Sequence, residues 1–134
     1  MAKVIDIEGI GEVYAQKLEA AGVATVERLL SEGASPKGRT ALAEKTGISG
    51  TLLLKWINRA DLFRVKGVGT QFSDLLEAAG VDTVVELAHR KPENLHAKLV
   101  EVNEVKKLVR ALPTLENLQG WVEHAKTLPR VLTY

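Results

Sequence analysis

An internal repeat governs how this chain can fold. Residues 9–29 and 67–87 match at a constant offset of 58, and eleven of the 21 aligned positions are identical. A second match, at an offset of 65, pairs Trp56 with Trp121. Self-similarity at a fixed spacing is typical of proteins in which one small supersecondary unit occurs more than once. We therefore predict two copies of a single unit.

The two copies set the predicted domain organisation. We place the first at residues 1–64 and the second at residues 65–134. The longer second offset implies an insertion in the second copy, near residues 103–113. Each copy is near the size at which an isolated hydrophobic core is marginal. We therefore expect the copies to pack together as one compact helical unit.

The spacing of apolar residues is helical. Tyr14, Leu18 and Ala21 recur at i, i+4 and i+7, which places them on one helix face. Gly22 and its counterpart Gly80 then have the place of left-handed helix terminators. No segment alternates strictly between apolar and polar residues beside a hairpin turn. The fold class that we predict is all-α, without a β-sheet.

Capping residues mark where the helices should begin and end. We predict helix N-caps at Thr25, Ser35, Ser49, Thr83, Asn103 and Thr114, with a capping box in Thr83–Glu86, a helix start at Lys91-Pro92 and a helix end at Gly47. The paired residues Trp56 and Trp121 are predicted to be buried anchors, each holding the last helix of its copy.

Charge and composition exclude several classes of function. The chain has 18 Lys and Arg against 17 Asp and Glu, so no strong global positive field draws it to nucleic acid. It has no cysteine, which excludes disulfides, thiolate zinc sites and a cysteine nucleophile. It shows no secretory signal and no apolar run of about 18 residues. We expect a soluble cytoplasmic protein.

Two glycine-rich segments form the most informative motif. Residues 7–11 and 65–69 both read apolar-x-Gly-apolar-Gly and lie between predicted helices. We expect the central Ile10 and Val68 to enter the core while the glycines let the backbone turn tightly. Such a turn presents backbone N–H groups and the positive end of a helix, which together hold a phosphate without any side chain.

These segments resemble helix-hairpin-helix motifs. The stretch GIGEVYAQKLEAAGVATVERLL is also similar to the repeat unit in the C-terminal domain of the bacterial RNA polymerase alpha subunit. More closely, the whole chain resembles an uncharacterised bacterial family of tandem helix-hairpin-helix-like proteins, through the segments NRADLFRVKGVG, LLEAAGVDTVVELAHRKPENLHAKLVEVNE and LPRVLTY. The resemblance implies a helix-hairpin-helix fold. From better-known helix-hairpin-helix domains it also implies contact with the DNA backbone that does not read sequence.

The two glycine segments differ in charge. Glu8 and Glu12 flank the first, and two carboxylates oppose a phosphate at close range, so we expect its glycines to serve packing alone. The second carries Lys66. Its glycines also have a purely packing alternative, which the sequence leaves open beside the functional one. The predicted nucleic-acid-binding residues are Arg64, Lys66, Gly67, Val68, Gly69 and Thr70.

No enzyme or metal site is predicted. His89 and His96 are separated by Pro92, which breaks helical register. His124 lies two helical turns from Glu116, but such pairs are common by chance, so we expect the histidines to be solvent-facing or cap-adjacent. No nucleophile elbow, dinucleotide fingerprint or phosphate-binding Walker loop is present. We expect no catalytic residue, no cofactor, no small-molecule substrate and no membrane partner.

Two functions remain after these exclusions. The first is a non-enzymatic module that binds DNA weakly, through its phosphate backbone, at the second glycine segment. The second is a protein-interaction or self-associating module without nucleic acid. The near-zero net charge favours this second function, because it weakens the electrostatic repulsion between separate molecules of the protein. In that alternative the C-terminal residues 128–134 dock on their own domain or on a partner.

Overall fold

A computed structural model of the chain describes residues 2–7 and 9–134. This part of the chain contains eight α-helices, one short 3-10 helix and no β-strand, so the predicted all-α class is confirmed. Lys3 and Thr25 form an isolated β-bridge. After the 3-10 helix Val4–Asp6, the helices are α1 Glu12–Ala20, α2 Val26–Glu32, α3 Pro36–Thr46, α4 Gly50–Leu62, α5 Thr70–Ala78, α6 Val84–Ala88, α7 Pro92–Lys106 and α8 Leu115–Thr127.

Most of the predicted helix boundaries are confirmed. The side chain of each N-cap accepts a hydrogen bond from a backbone N–H three residues later, as when the Thr25 hydroxyl accepts from Arg28 at 3.1 Å. Gly47 ends α3 in the left-handed conformation, with φ +73°. The confirmed N-caps are Thr25, Ser35, Ser49, Thr83 and Thr114.

One boundary prediction is wrong, and one predicted capping box is incomplete. Asn103 does not cap a new helix, because α7 continues to Lys106 and ends at Lys107 with φ +51°. The Asn103 amide instead forms two hydrogen bonds of 3.1 Å with the backbone of Val109, one as donor and one as acceptor. The capping box predicted in Thr83–Glu86 forms only in part. Thr83 accepts from the Glu86 backbone, but the Glu86 carboxylate accepts from Arg90.

The chain divides into two compact units. Unit 1 is Met1–Asp61 together with Val131–Tyr134, and unit 2 is Leu62–Arg130. In unit 1, α1 and α2 pack on α3. Its fully buried side chains are apolar, among them Ile7, Leu18, Leu29, Leu53, Trp56 and Ile57. In unit 2, α6 and α7 pack on α8, and α5 packs on α7. Its buried cluster includes Val68, Leu75, Leu76, Leu87, Leu99 and Trp121.

The C-terminal residues are held within unit 1 by a buried arginine. Arg39 donates hydrogen bonds to the carbonyl oxygens of Gly33 at 2.9 Å and Thr133 at 2.7 Å. The Thr133 backbone N–H in turn donates to Ala34 at 2.8 Å. The guanidinium of Arg39 also lies 5.4 Å from the ring centroid of Tyr134. The C-terminal segment was expected to dock on its own domain, residues 65–134, or on a partner. Its last residues instead pack within unit 1, against residues of the first copy.

Candidate functional site

The second glycine turn, residues 65–69, is closed by its own backbone. The Val68 N–H donates to the Val65 carbonyl oxygen at 3.1 Å, and Gly67 between them has φ +95°. A side chain at that φ is strained, so glycine suits the position. The Val68 side chain is buried, as the sequence predicted for the central apolar residue.

The first glycine turn, residues 7–11, has the same backbone hydrogen bond. The Ile10 N–H donates to the Ile7 carbonyl at 3.1 Å, and Gly9 has φ +94°. Glu12 begins α1 directly after this turn. Glu8, the other carboxylate expected beside it, lies outside the described residues.

A buried tryptophan lies behind each glycine turn. Trp56 and Trp121 are 1% and 6% exposed, so both predicted anchors are confirmed. Each indole packs on a ring near the start of the helix that follows the glycine turn, Trp56 on Tyr14 of α1 at 5.1 Å and Trp121 on Phe72 of α5 at 5.2 Å between centroids. A Cβ added at Gly67 would lie 2.8 Å from Trp121 Nε1, closer than real Cβ atoms approach. The turn therefore rests its backbone against the indole edge.

His124 is bonded to the second glycine turn. Its Nδ1 accepts a hydrogen bond from the Lys66 backbone N–H at 3.0 Å. From the sequence, this histidine was expected only to be solvent-facing or cap-adjacent. The repeat at an offset of 65 pairs His124 with Arg59, and this match was the sequence signal for a shared place in the two copies. A Cβ added at Gly9 would lie 3.8 Å from the Arg59 guanidinium, so that side chain too approaches a glycine turn.

The structure brings four of the six predicted site residues together at the surface. Lys66, Gly67 and Gly69 are exposed, and Thr70 is half-buried at the first position of α5. Within the described residues, the N–H groups of Gly67 and Gly69 form no hydrogen bond. The Lys66 ammonium likewise forms no ion pair with any described carboxylate. These are donors that a bound anion would meet.

The other two predicted residues are engaged elsewhere. The Val68 N–H is used inside the turn, so the expectation that its amide faces outward is wrong. The Arg64 guanidinium donates to the Pro129 carbonyl at 2.6 Å. The outward-facing donor set is therefore smaller than the sequence indicated.

The second glycine turn has an opening on each side. One, of about 310 Å³, is lined by Gly67, Gly69, Thr70, Gln71 and Phe72 and contains no carboxylate. The other, of about 460 Å³, is lined by Lys66, Gly67, Glu116, Asn117, Gly120, Trp121 and His124. We call the second opening the α8 pocket. Gly67 belongs to both, so the turn forms the ridge between them.

The N-terminus of α5 adds an electric field that favours anions. Gly69 is its N-cap and supplies no side-chain cap, so the first N–H groups of the helix are not covered by a capping side chain. A helix N-terminus carries a partial positive charge, which stabilises an adjacent anion. α5 has no acidic residue in its first turn, whereas α1 has Glu12 there. The two glycine turns therefore have the same backbone conformation but differ in the charges beside it.

The described part of the chain has neither a cluster of metal ligands nor a membrane-spanning helix. No group of three or more His, Asp or Glu residues there lies close enough to hold a metal ion. None of its helices combines the length and the apolar character that a membrane-spanning segment needs.

Comparison with known proteins gives one match. The model of a family described as a domain of unknown function (DUF4332) matches residues 8–128, which is most of the chain. No curated protein and no solved structure matches it.

Proposed function

The chain belongs to the DUF4332 family, and we propose that it is a non-enzymatic module that binds the phosphate backbone of DNA through the second glycine turn. In this proposal each unit carries a helix-hairpin-helix motif, and only the motif of unit 2 engages DNA. The protein acts in the cytoplasm and reads no base sequence, because backbone amides and one lysine recognise phosphate oxygens alone.

One observation carries the proposal. The N–H groups of Gly67 and Gly69 have no partner among the described residues, and Gly69 is the N-cap of α5, without a side-chain cap. The same turn carries Lys66, whose ammonium forms no ion pair with a described carboxylate. Backbone N–H groups at a helix N-terminus are a common phosphate-binding arrangement. The side of the turn lined by Gly69 and Thr70 contains no carboxylate to oppose the phosphate.

The charge balance limits the affinity. With a formal net charge of +1, the protein neutralises few phosphates and releases few counterions on binding. We therefore expect binding that is measurable at low salt and falls steeply as salt increases.

A salt titration tests the proposal. A fluorescein-labelled DNA duplex is titrated with the wild type, with Lys66→Glu, and with Lys37→Glu as the control. Lys37 is exposed on α3 and does not belong to the turn, so its substitution makes the same charge change at a different part of the chain. We expect Lys66→Glu to weaken binding and to lower the slope of log affinity against log salt by about one, and Lys37→Glu to change neither by as much.

Two results would overturn the proposal: no binding of the wild type at low salt, or equal effects of the two substitutions. Analytical ultracentrifugation of the same samples addresses the interaction alternative. Self-association without any DNA binding would favour that alternative.

A further inference from the structure

The α8 pocket contains a side-chain hydrogen-bond donor that has no partner among the described residues. Trp121 is only 6% exposed, and its Nε1–H donates to no group in the described part of the chain. The N–H borders the pocket because Gly67, directly beside it, has no side chain to cover it. Because no buried side-chain nitrogen in the described residues lacks a partner, this N–H is open to the pocket, where water or a ligand can accept its hydrogen bond.

The donors of the pocket are gathered at one end. Lys66 and Gly67 line the pocket at the glycine turn, together with Trp121. His124 is bonded to the Lys66 backbone there through Nδ1, which leaves Nε2–H as a further donor of the neutral ring. Such a set of donors suits the non-bridging oxygens of a phosphate.

The opposite end of the pocket is acidic. Glu116 lies about two helical turns before His124 in α8, which separates the two residues by about 12 Å along the helix axis at 1.5 Å per residue. Asn117 lies beside it with its Oδ1 bonded to the Thr114 N–H, so its Nδ2 remains as a donor. Between the two ends is Gly120, where an added Cβ would meet nothing within 4 Å. The pocket is therefore an open trough with a cationic end and an anionic end.

We propose that the α8 pocket holds the 3′-terminal nucleotide of a DNA strand, with its phosphate at Lys66, Gly67 and Trp121 and its free 3′-hydroxyl toward Glu116. This inference rests on the proposed binding of DNA at the second glycine turn. It assigns the two sides of the turn different parts of one strand: the Gly69 side takes an internal phosphate, and the α8 side takes the strand end.

Size and charge both favour a strand end. A volume of about 460 Å³ is in the range of small-ligand sites and is too small for a segment of duplex. A strand that continued through the pocket would bring its next phosphate toward the Glu116 carboxylate, and like charges a few ångströms apart repel. A hydroxyl donates to the same carboxylate. The acidic end therefore selects a terminus without a 3′-phosphate.

Three DNA probes of one sequence test the inference. The first is a duplex closed at both ends by loops, which has no strand end. The second is an open duplex with a single-stranded 3′-hydroxyl overhang, and the third carries a 3′-phosphate on that overhang. We expect the wild type to bind the 3′-hydroxyl probe about tenfold more tightly than the closed probe, as charge-assisted hydrogen bonds give. The 3′-phosphate should weaken binding at least about fivefold.

Two variants connect the preference to the pocket. Gly120→Leu extends a side chain into the trough from an exposed helical position where an added Cβ meets no atom within 4 Å, so we expect it to abolish the preference for a 3′-hydroxyl end while binding of the closed probe persists. Glu116→Gln should remove the discrimination against the 3′-phosphate. Gln119→Leu is the control, because Gln119 is exposed on α8 and does not line the pocket.

The outcomes separate this inference from the proposed function. If the closed probe binds in a Lys66-dependent manner but the 3′-hydroxyl end brings no advantage, the pocket assignment is overturned and the glycine-turn proposal stands. Retention of the preference by Gly120→Leu also overturns it. If no probe binds at low salt, both fail together.

Discussion

The backbone N–H of Lys66 donates a hydrogen bond to Nδ1 of His124, with 3.0 Å between the two nitrogens. The bond ties the second glycine turn to α8, although 58 positions separate the two residues. It also gives the imidazole a defined chemical form, since an accepting Nδ1 in a neutral ring places the proton on Nε2.

We expect neutral His124 to be the Nε2–H tautomer. Long-range proton–nitrogen correlation spectra distinguish the two ring nitrogens and give the tautomer directly. His89, which is exposed, provides an internal comparison in the same spectrum. Observation of the Nδ1–H tautomer at His124 would contradict the bond to Lys66.

Gly67→Ala should destabilise the protein more than Gly9→Ala. Both substitutions place a side chain at a φ near +95°, which costs about 1–2 kcal/mol. At Gly67 the added Cβ also lies 2.8 Å from the buried Trp121 indole, whereas at Gly9 it lies 3.4 Å from Trp56. Relieving the closer contact adds about 1–3 kcal/mol. Urea unfolding of the two variants measures the difference. Equal losses of unfolding free energy would show that the Trp121 indole moves aside without an energetic cost.

Local signals explain what the sequence predicted well. A cap such as Thr25 is fixed by a backbone N–H only three residues away, at Arg28, so its neighbours in sequence decide it. The glycine turns were found for the same reason. Their closing hydrogen bonds join residues three apart, and the repeat at an offset of 58 shows the pattern twice.

Longer-range packing explains what the sequence missed. Asn103 has the chemistry of an N-cap, but its partner Val109 lies beyond the end of α7, so only the observed loop determines its role. The bond between Lys66 and His124 depends on how α8 lies against the turn. The Val68 amide was assigned to a ligand because the sequence does not show which N–H groups the turn itself consumes.

Gly120→Ala should stabilise the protein. Gly120 lies inside α8, is exposed, and has open space where a Cβ would be, so alanine adds helix propensity without a clash. We expect the free energy of unfolding to rise by about 0.5–1 kcal/mol. Chemical denaturation checks this, with Gln119→Ala on the same helix as the control, since glutamine and alanine differ little in propensity. A loss of stability would mean that the space beside Gly120 is occupied in solution.

Arg39→Met should release the C-terminal residues from unit 1. The substitution keeps a long apolar stem but removes the donors to Gly33 and Thr133, each a hydrogen bond from a charged group. We expect the unfolding free energy to fall by about 2 kcal/mol or more, and the Thr133 amide to exchange faster with solvent because its bond to Ala34 opens. Hydrogen exchange measured by NMR follows that amide.

Lys37→Met is the matched control for this prediction, because Lys37 is exposed on the same helix and contacts neither carbonyl. Unchanged exchange at Thr133 in Arg39→Met would show that Arg39 does not hold the segment.

The position of Thr133 against Ala34 has a consequence for synthesis on the ribosome. Unit 1 is interrupted in sequence, since Leu62–Arg130 lies between its two parts. Its helices emerge first, yet the carbonyl that Arg39 binds belongs to a residue translated 94 positions later. Translation proceeds at about 5–20 residues per second, so Arg39 is made several seconds before the acceptor that completes its hydrogen bonds. Unit 2 is complete in the nascent chain before that acceptor is made.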